Sequence, residues 1–216
     1  MNLKYEKERR EIIDIGIKMS DTKLVVGTWG NISRRINENL MAITPSGIDY
    51  SILEPKDIPI LDLEGNIIDG KTKPSTEYNL HMEVYKCRKD THAIVHTHST
   101  YCTAFAIARK VIPATVEDLV QIVGGNVRVG EYALPGSLEL AKNTIKALEG
   151  RNAAILANHG ALAVGRNLNE ALKIALILEK SAEATIYAKI LGKVVELNDE
   201  DVKYMRDFYL NSYGQR

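Results

Sequence analysis

Three of the five histidines in this 216-residue chain fall in a pattern suited to holding a metal ion. His96 and His98 stand two apart at the end of the apolar run Ala93-Ile94-Val95. In an extended strand, side chains at i and i+2 share a face, so both imidazoles can reach one ion. His159 ends a second apolar run and sits between Asn158 and Gly160, where it closes a three-histidine site if the two strands are neighbours. Three protein ligands leave one position of a tetrahedral zinc open to substrate, which a catalytic site requires. An isolated HxH pair is equally read as imidazoles hydrogen-bonding inside a core. His92 shares the parity of His96 and His98 but lies at the polar entrance of the strand, where a surface or capping role fits better. His81 lies four residues after Glu77 on a helix-like stretch and can join a site, although helix packing is the simpler role for it. Glu77 itself falls in the opening turn of that stretch, where an acid stabilises a helix by about 0.3–1 kcal/mol through the dipole with no catalytic part at all.

The elements that must position these residues follow from periodicity and turn chemistry. Residues 5–19 place Ile12, Ile13, Ile15, Ile17 and Met19 behind a charged front half, as a partly buried helix does. Two glycines three apart, Gly27 and Gly30, mark a tight bend after Leu24-Val25-Val26. Short strands are expected at 32–35 and 40–43, and a hairpin over 58–63 and 66–68 around Glu64-Gly65. Pro74-Ser75-Thr76-Glu77 offers a hydroxyl cap for a helix running to about residue 89. Strands at 93–95 and 153–156 each end in a histidine motif, 162–165 continues as a strand, and 126–132 reads as another. Helices are expected at 101–109, between the Pro135-Gly136-Ser137 cap and Gly150, over 169–191 ending at Gly192, and over 200–211. Strands and helices intermix without strict βαβ order, and no repeat or linker divides the chain.

Composition narrows the partners. Hydrophobic residues make up 45% and charged residues 26% of the chain, an ordinary globular balance. Lys plus Arg and Asp plus Glu are both 28, so no global field draws in nucleic acid or an anionic membrane. An anionic substrate must be held by local geometry. The first twenty residues mix charge with apolar residues, unlike a secretory signal, and no stretch approaches the length of a membrane span. A cytoplasmic protein is expected. Cys87 and Cys102 lie in helix-patterned segments, not in a CxxC arrangement, and are read as buried, unpaired thiols.

Taken together, GTWGNIS (27–33), ITPSGI (43–48), KPSTE (73–77), HTH (96–98), IPA (112–114) and NHG (158–160) resemble the class II aldolase family, in consistent order along nearly the whole chain. The likeness is strongest to its branch acting on L-fuculose 1-phosphate. The resemblance implies an α/β fold, a three-layer α/β/α domain over residues 1–216 around a mostly antiparallel central sheet. It implies one Zn2+ per subunit on His96, His98 and His159, with Glu77 as catalytic acid/base that also touches the metal when no substrate is bound. It implies a substrate phosphate held among Thr28, Asn31, Ser46, Gly47, Ser75 and Thr76. Tyr213 matches a family tyrosine that closes over the site. Four residues after Pro113, where similar bacterial enzymes carry a tyrosine that donates a proton from a neighbouring subunit, this chain has Glu117. The implied assembly is a homotetramer with sites at subunit interfaces.

The implied reaction is reversible aldol cleavage of L-fuculose 1-phosphate, or a close ketose 1-phosphate, to dihydroxyacetone phosphate and L-lactaldehyde. The same family includes sugar-phosphate 4-epimerases, dehydratases and the non-catalytic adducin head. Retention of all three histidines with Glu77 argues against a scaffold, and glutamate at 77, where the similar epimerases typically have aspartate, favours the aldolase. A zinc hydrolase would need an HExxH helix, which the sequence lacks.

Overall fold

The structure is a computed structural model that describes residues 3–214. In chain order, helix α1 (Glu6–Asp21) is followed by strands β1 (Asn31–Arg35), β2 (Leu40–Ile43), β3 (Ile60–Asp62) and β4 (Ile67–Asp69). Then come α2 (Tyr78–Cys87), β5 (Ala93–Thr97), α3 (Thr100–Ala108), α4 (Glu117–Val123), β6 (Val129–Gly130) and α5 (Leu138–Ala147). The chain closes with β7 (Ala153–Leu156), β8 (Gly160–Gly165), α6 (Leu168–Leu191) and α7 (Asp199–Asn211). The strands form one eight-stranded sheet in the order β4-β3-β2-β1-β5-β8-β7-β6, antiparallel throughout except for the parallel β6–β7 pair.

Side-chain alternation splits the apolar residues of this sheet between two cores. Ala93, Val95, Ile155, Ala161 and Ala163 face α1, α3, α4 and α6. Ile94, Ala154, Leu156, Leu162 and Val164 face α2 and α5. Both faces are covered, so β5, β7 and β8 are buried along their whole length and read as continuous apolar runs. The result is the expected α/β architecture, helices on either side of a mostly antiparallel sheet. No helix among the described residues is long and apolar enough to cross a membrane.

Most sequence-derived elements agree with the structure, and four expectations do not. Residues 126–132 were expected as a strand, but only Val129 and Gly130 pair with β7, while Val127 bridges back to Ile112. That segment divides its pairing between two partners and never forms a continuous ladder. Helix α4 has no counterpart in the sequence reading; its Leu119-Val120 and Ile122-Val123 pairs sit in a helix of seven residues, too short to show a period, that stops at Gly124 with φ 101°. Cys102 is buried as expected, but Cys87, at the last turn of α2, is exposed. Glu77 is the N-cap residue of α2 and does not sit in its first turn, and its side chain makes no capping bond. The helix-dipole role therefore does not account for the Glu77 carboxylate, which points elsewhere.

Candidate active site

The two strands that carry the histidines are neighbours. His96 stands opposite Asn31 of β1 on one side and Leu162 of β8 on the other. β7 and β8 are joined by a tight turn in which Asn158 takes a left-handed conformation (φ 55°), a region asparagine tolerates better than most residues. Arg109 donates to the Asn158 side chain at 2.9 Å, and the Asn158 N–H donates to the Ala106 carbonyl at 3.1 Å. The turn thus delivers His159 to the end of β5. Gly160 is required there: a Cβ would lie 2.2 Å from the Thr97 carbonyl oxygen and 3.3 Å from the His98 ring. His98 follows β5 directly. Glu179 of α6 fixes that corner by accepting from Ser99 Oγ (2.6 Å), Tyr101 N–H (2.8 Å) and Cys102 N–H (2.9 Å), which satisfies the open N-terminus of α3.

The three imidazoles surround a common point. Their ring centroids are mutually 4.8 Å apart and their planes are steeply inclined, at 70°, 81° and 90°. His96 Nε2 lies 3.0 Å from His98 Nε2 and 3.2 Å from His159 Nε2. Two nitrogens on a tetrahedral ion with bonds of about 2.05 Å are about 3.3 Å apart, so these separations are those of shared ligation. His96 Nδ1–H donates to the Ala161 carbonyl at 2.9 Å, which leaves Nε2 as the coordinating atom. Glu77 joins the cluster, with Oε2 3.2 Å from His96 Nε2 and Oε1 3.5 Å from His159 Nε2. Glu77 Oε1 is buried with no hydrogen-bond partner, an orphan acceptor of the kind a cation satisfies. The four side chains present ligand atoms within 4.8 Å of one another and together fit a metal ion.

The electrostatics agree. Burial opposes the charge on Glu77, but the charge and hydrogen bond of His96, then His159 and the Asn31 amide, outweigh it and hold the carboxyl below the usual carboxylate range. Burial likewise works against protonated His96, and the Glu77 carboxylate overcomes it, raising that histidine. His98 is held at about 3 and His159 at about 4, by burial and then by the neighbouring His96 charge. Of the three rings, His96 is thus the one whose protonated form Glu77 favours, and a bound dication would take the place of that proton.

Beside the cluster opens a cavity of about 390 Å³ whose wall includes Glu77, His98 and His159. All six residues assigned to the phosphate, Thr28, Asn31, Ser46, Gly47, Ser75 and Thr76, line this same cavity. The two loops that carry the last four are stitched together: Ser46 N–H donates to Lys73 O and Ser75 N–H to Thr44 O, both at 3.0 Å. Those two N–H groups are therefore occupied, and an anion would find the hydroxyls together with the Gly47 and Thr76 N–H groups. Gly30, at φ 94°, lets the β1 loop approach so closely that a Cβ would stand 2.8 Å from the His96 carbonyl oxygen.

Glu117 and Tyr213 do not line the cavity. Glu117 begins α4 with an exposed side chain, and exposed Tyr213 lies 5.4 Å from Tyr209, between ring centroids, near Lys173. Within one copy of the chain neither meets the metal cluster. Conversely, sequence reasoning gave no part to Tyr132, Ala133 and Pro135, which form a further stretch of the cavity wall, or to Trp29, whose indole is 5.9 Å from the His98 ring. The wall is tied to the start of α2 by Asn79, which donates to the Gly136 carbonyl at 3.2 Å. The Pro-Gly turn was its sequence signal, read only as a helix cap. His81, expected to serve in helix packing, is fully buried where α2 meets β1, and it also bonds to Asn31 and Ser33, one layer behind the cluster.

A family model described as Class II Aldolase and Adducin N-terminal domain matches residues 10–186. The chain belongs to the class II aldolase and adducin N-terminal domain family. Within this class II aldolase family it is 37% identical over 212 residues to the 5-deoxy-D-ribulose 1-phosphate aldolase of Bacillus thuringiensis serovar kurstaki, covering 98% of this chain and 99% of that one. It is 35% identical over 216 residues to the L-fuculose phosphate aldolase of Escherichia coli strain K12, covering 99% of each. A solved structure of an L-fuculose 1-phosphate aldolase superposes with a TM-score of 0.92 at 41% identity, covering 97% of this chain and 98% of the other. The chain is an aldolase-type enzyme, an aldehyde-lyase of the class II family.

Proposed function

We propose that this enzyme is a zinc aldolase that reversibly cleaves a short ketose 1-phosphate with a terminal methyl group, releasing dihydroxyacetone phosphate. L-Fuculose 1-phosphate would give L-lactaldehyde, and 5-deoxy-D-ribulose 1-phosphate would give acetaldehyde. The names of the relatives favour these two sugars over others. One observation carries the reading: Glu77, two of the three histidines and all six phosphate-side residues line a single cavity.

His96, His98, His159 and Glu77 would hold the zinc, a nitrogen and oxygen donor set suited to that ion. When bound, zinc supplies Lewis acidity that draws off the negative charge left as the carbon-carbon bond breaks. The phosphate is recognised by neutral donors, the hydroxyls of Thr28, Ser46, Ser75 and Thr76 with the Gly47 and Thr76 N–H groups, which suits a chain of zero net charge. Glu77 exchanges the proton at the carbon that becomes part of dihydroxyacetone phosphate, and Asn31 holds its carboxylate by donating at 2.9 Å. In cleavage the hydroxyl that becomes the aldehyde oxygen gives up its proton, and in condensation that oxygen takes one back; the group that handles this proton comes from outside this copy's own cavity. Exposed Glu117 is the group for that step and exposed Tyr213 closes over the site, both supplied across interfaces of a homotetramer in the cytoplasm.

The test is product analysis of the purified, zinc-loaded protein with L-fuculose 1-phosphate, 5-deoxy-D-ribulose 1-phosphate and a pentulose 5-phosphate, with Glu77→Gln as control. Dihydroxyacetone phosphate from a ketose 1-phosphate is the expected product. An epimerised sugar without dihydroxyacetone phosphate would overturn the aldolase reading.

A further inference from the structure

Behind the cluster runs an unbroken chain of buried hydrogen bonds. The Tyr85 hydroxyl lies 2.8 Å from Ser33 Oγ, which lies 2.6 Å from His81 Nδ1. His81 Nε2 lies 2.6 Å from Asn31 Oδ1, and Asn31 Nδ2 donates to Glu77 Oε2 at 2.9 Å. Tyr85, Ser33 and His81 are fully buried and Asn31, at the cavity wall, is 3% exposed, so the chain lies almost wholly out of reach of solvent. The far end is closed by the Arg35 guanidinium, 4.6 Å from the centre of the Tyr85 ring and held by the Thr91 carbonyl at 2.9 Å.

The chain satisfies every member in one direction only. Burial, and then the His96 charge, hold His81 at about 3, so its ring is neutral and has a single N–H. With that N–H at Nε2, it donates to Asn31 Oδ1, Nδ1 accepts from the Ser33 hydroxyl, and Ser33 accepts from Tyr85. Asn31 is then left with its Nδ2 for the carboxylate. With the N–H at Nδ1 instead, Asn31 would have to turn its amide over to serve Nε2. Its oxygen would then face Glu77 Oε2, acceptor against acceptor in a dry interior, which is costly. A histidine serving only to pack α2 against the sheet would have no reason to be aligned in this way, since a leucine fills similar space without two ring nitrogens to satisfy.

We propose that His81 is a positioning residue: by donating from Nε2 to Asn31 Oδ1 it locks the Asn31 amide in the orientation that holds the Glu77 carboxylate in place beside the metal cluster. The proposal rests on the reading of Glu77 as the acid/base, and it deepens that reading. Nothing in sequence spacing shows it, because Asn31 and His81 are 50 residues apart and meet only where α2 packs on β1.

The experiment compares His81→Leu, His81→Gln, Asn31→Ala and the double variant His81→Leu/Asn31→Ala as folded, zinc-loaded proteins. His81→Leu should lower kcat for ketose phosphate cleavage by about 10- to 100-fold, the usual scale for groups behind a metal site, with KM and zinc stoichiometry little changed. Gln can donate to Asn31 while accepting from Ser33, so His81→Gln should recover most of the loss. In the Asn31→Ala background His81→Leu should add nothing further. Equal losses in the Leu and Gln variants, or additive losses in the double variant, would overturn the proposal. A readout independent of activity and of the Leu variant's folding is the imidazole nitrogen spectrum of histidine-labelled wild-type protein, with the His81 signal assigned by its disappearance in His81→Gln. The neutral Nε2–H form at pH 7 is expected, and an Nδ1–H form or an imidazolium overturns the idea. If wild type releases no dihydroxyacetone phosphate, the proposed function falls while this spectrum still decides the hydrogen-bond chain.

Discussion

At the scale of single residues, one carboxylate and three imidazoles are asked to do separable jobs. On the proposed function Glu77 would move a proton, whereas the histidines would suffice to hold the ion. Glu77→Gln should therefore lower kcat by about 10²- to 10⁴-fold while the purified protein keeps its zinc. Metal analysis and steady-state rates check this together, and a variant that loses both would mean Glu77 is chiefly a ligand. The proton on His96 gives a second expectation. Because Glu77 raises His96 above its ordinary value of 6.5, a metal must displace that proton to bind. Zinc affinity should climb by about tenfold per pH unit from below 6.5 up to the raised His96 value and level off above it. A chelator competition series at several pH values measures this, and a flat profile between pH 6 and 8 would contradict it. The histidines were legible because ligand chemistry is written in residue type and spacing. The place of Glu77 in the cluster was legible only through the motifs around it, since an acid after Ser75-Thr76 also reads as a helix start. The partnership of Asn31 with Glu77 was not legible at all: the sequence reading gave Asn31 to the phosphate, and the contact spans 46 residues.

At the scale of elements, the site exists because β5 and β8 pair in one register, with His96 opposite Leu162 and Thr97 opposite Ala161. That pairing depends on Gly160, whose missing side chain lets the β7–β8 turn close against Thr97. Gly160→Ala should destabilise the protein by about 1–3 kcal/mol through this clash and weaken zinc binding along with it. Thermal melts with and without zinc test both, and an unchanged melting temperature would show that the turn can shift freely. Long, capped elements such as α6, with Asn167 at its start and Gly192 at its end, were readable to within a residue. Short elements were not. α4 and β6 are stabilised by what they pack against, α4 by α6 and α7 and β6 by β7, and seven or two residues hold too little periodicity to declare themselves.

At the scale of the whole molecule, two of the sequence-assigned groups, Glu117 and Tyr213, are left outside the cavity of their own chain. If a neighbouring copy supplies Glu117, mixed oligomers of two impaired variants should rebuild working sites. Co-refolded Glu77→Gln and Glu117→Gln chains would pair an intact Glu77 with an intact neighbouring Glu117 at roughly a quarter of sites, where each variant alone has none. Recovery of activity on mixing supports the shared site, and none would place the donor within a single chain. The central claim, however, is that the imidazole cluster works as a metal centre for carbon-carbon cleavage. The most direct measurement is dihydroxyacetone phosphate release from L-fuculose 1-phosphate and 5-deoxy-D-ribulose 1-phosphate before chelation, after chelation and after zinc is restored. Release that vanishes with the metal and returns with it is the predicted result; release that persists undiminished in the stripped protein would contradict the account.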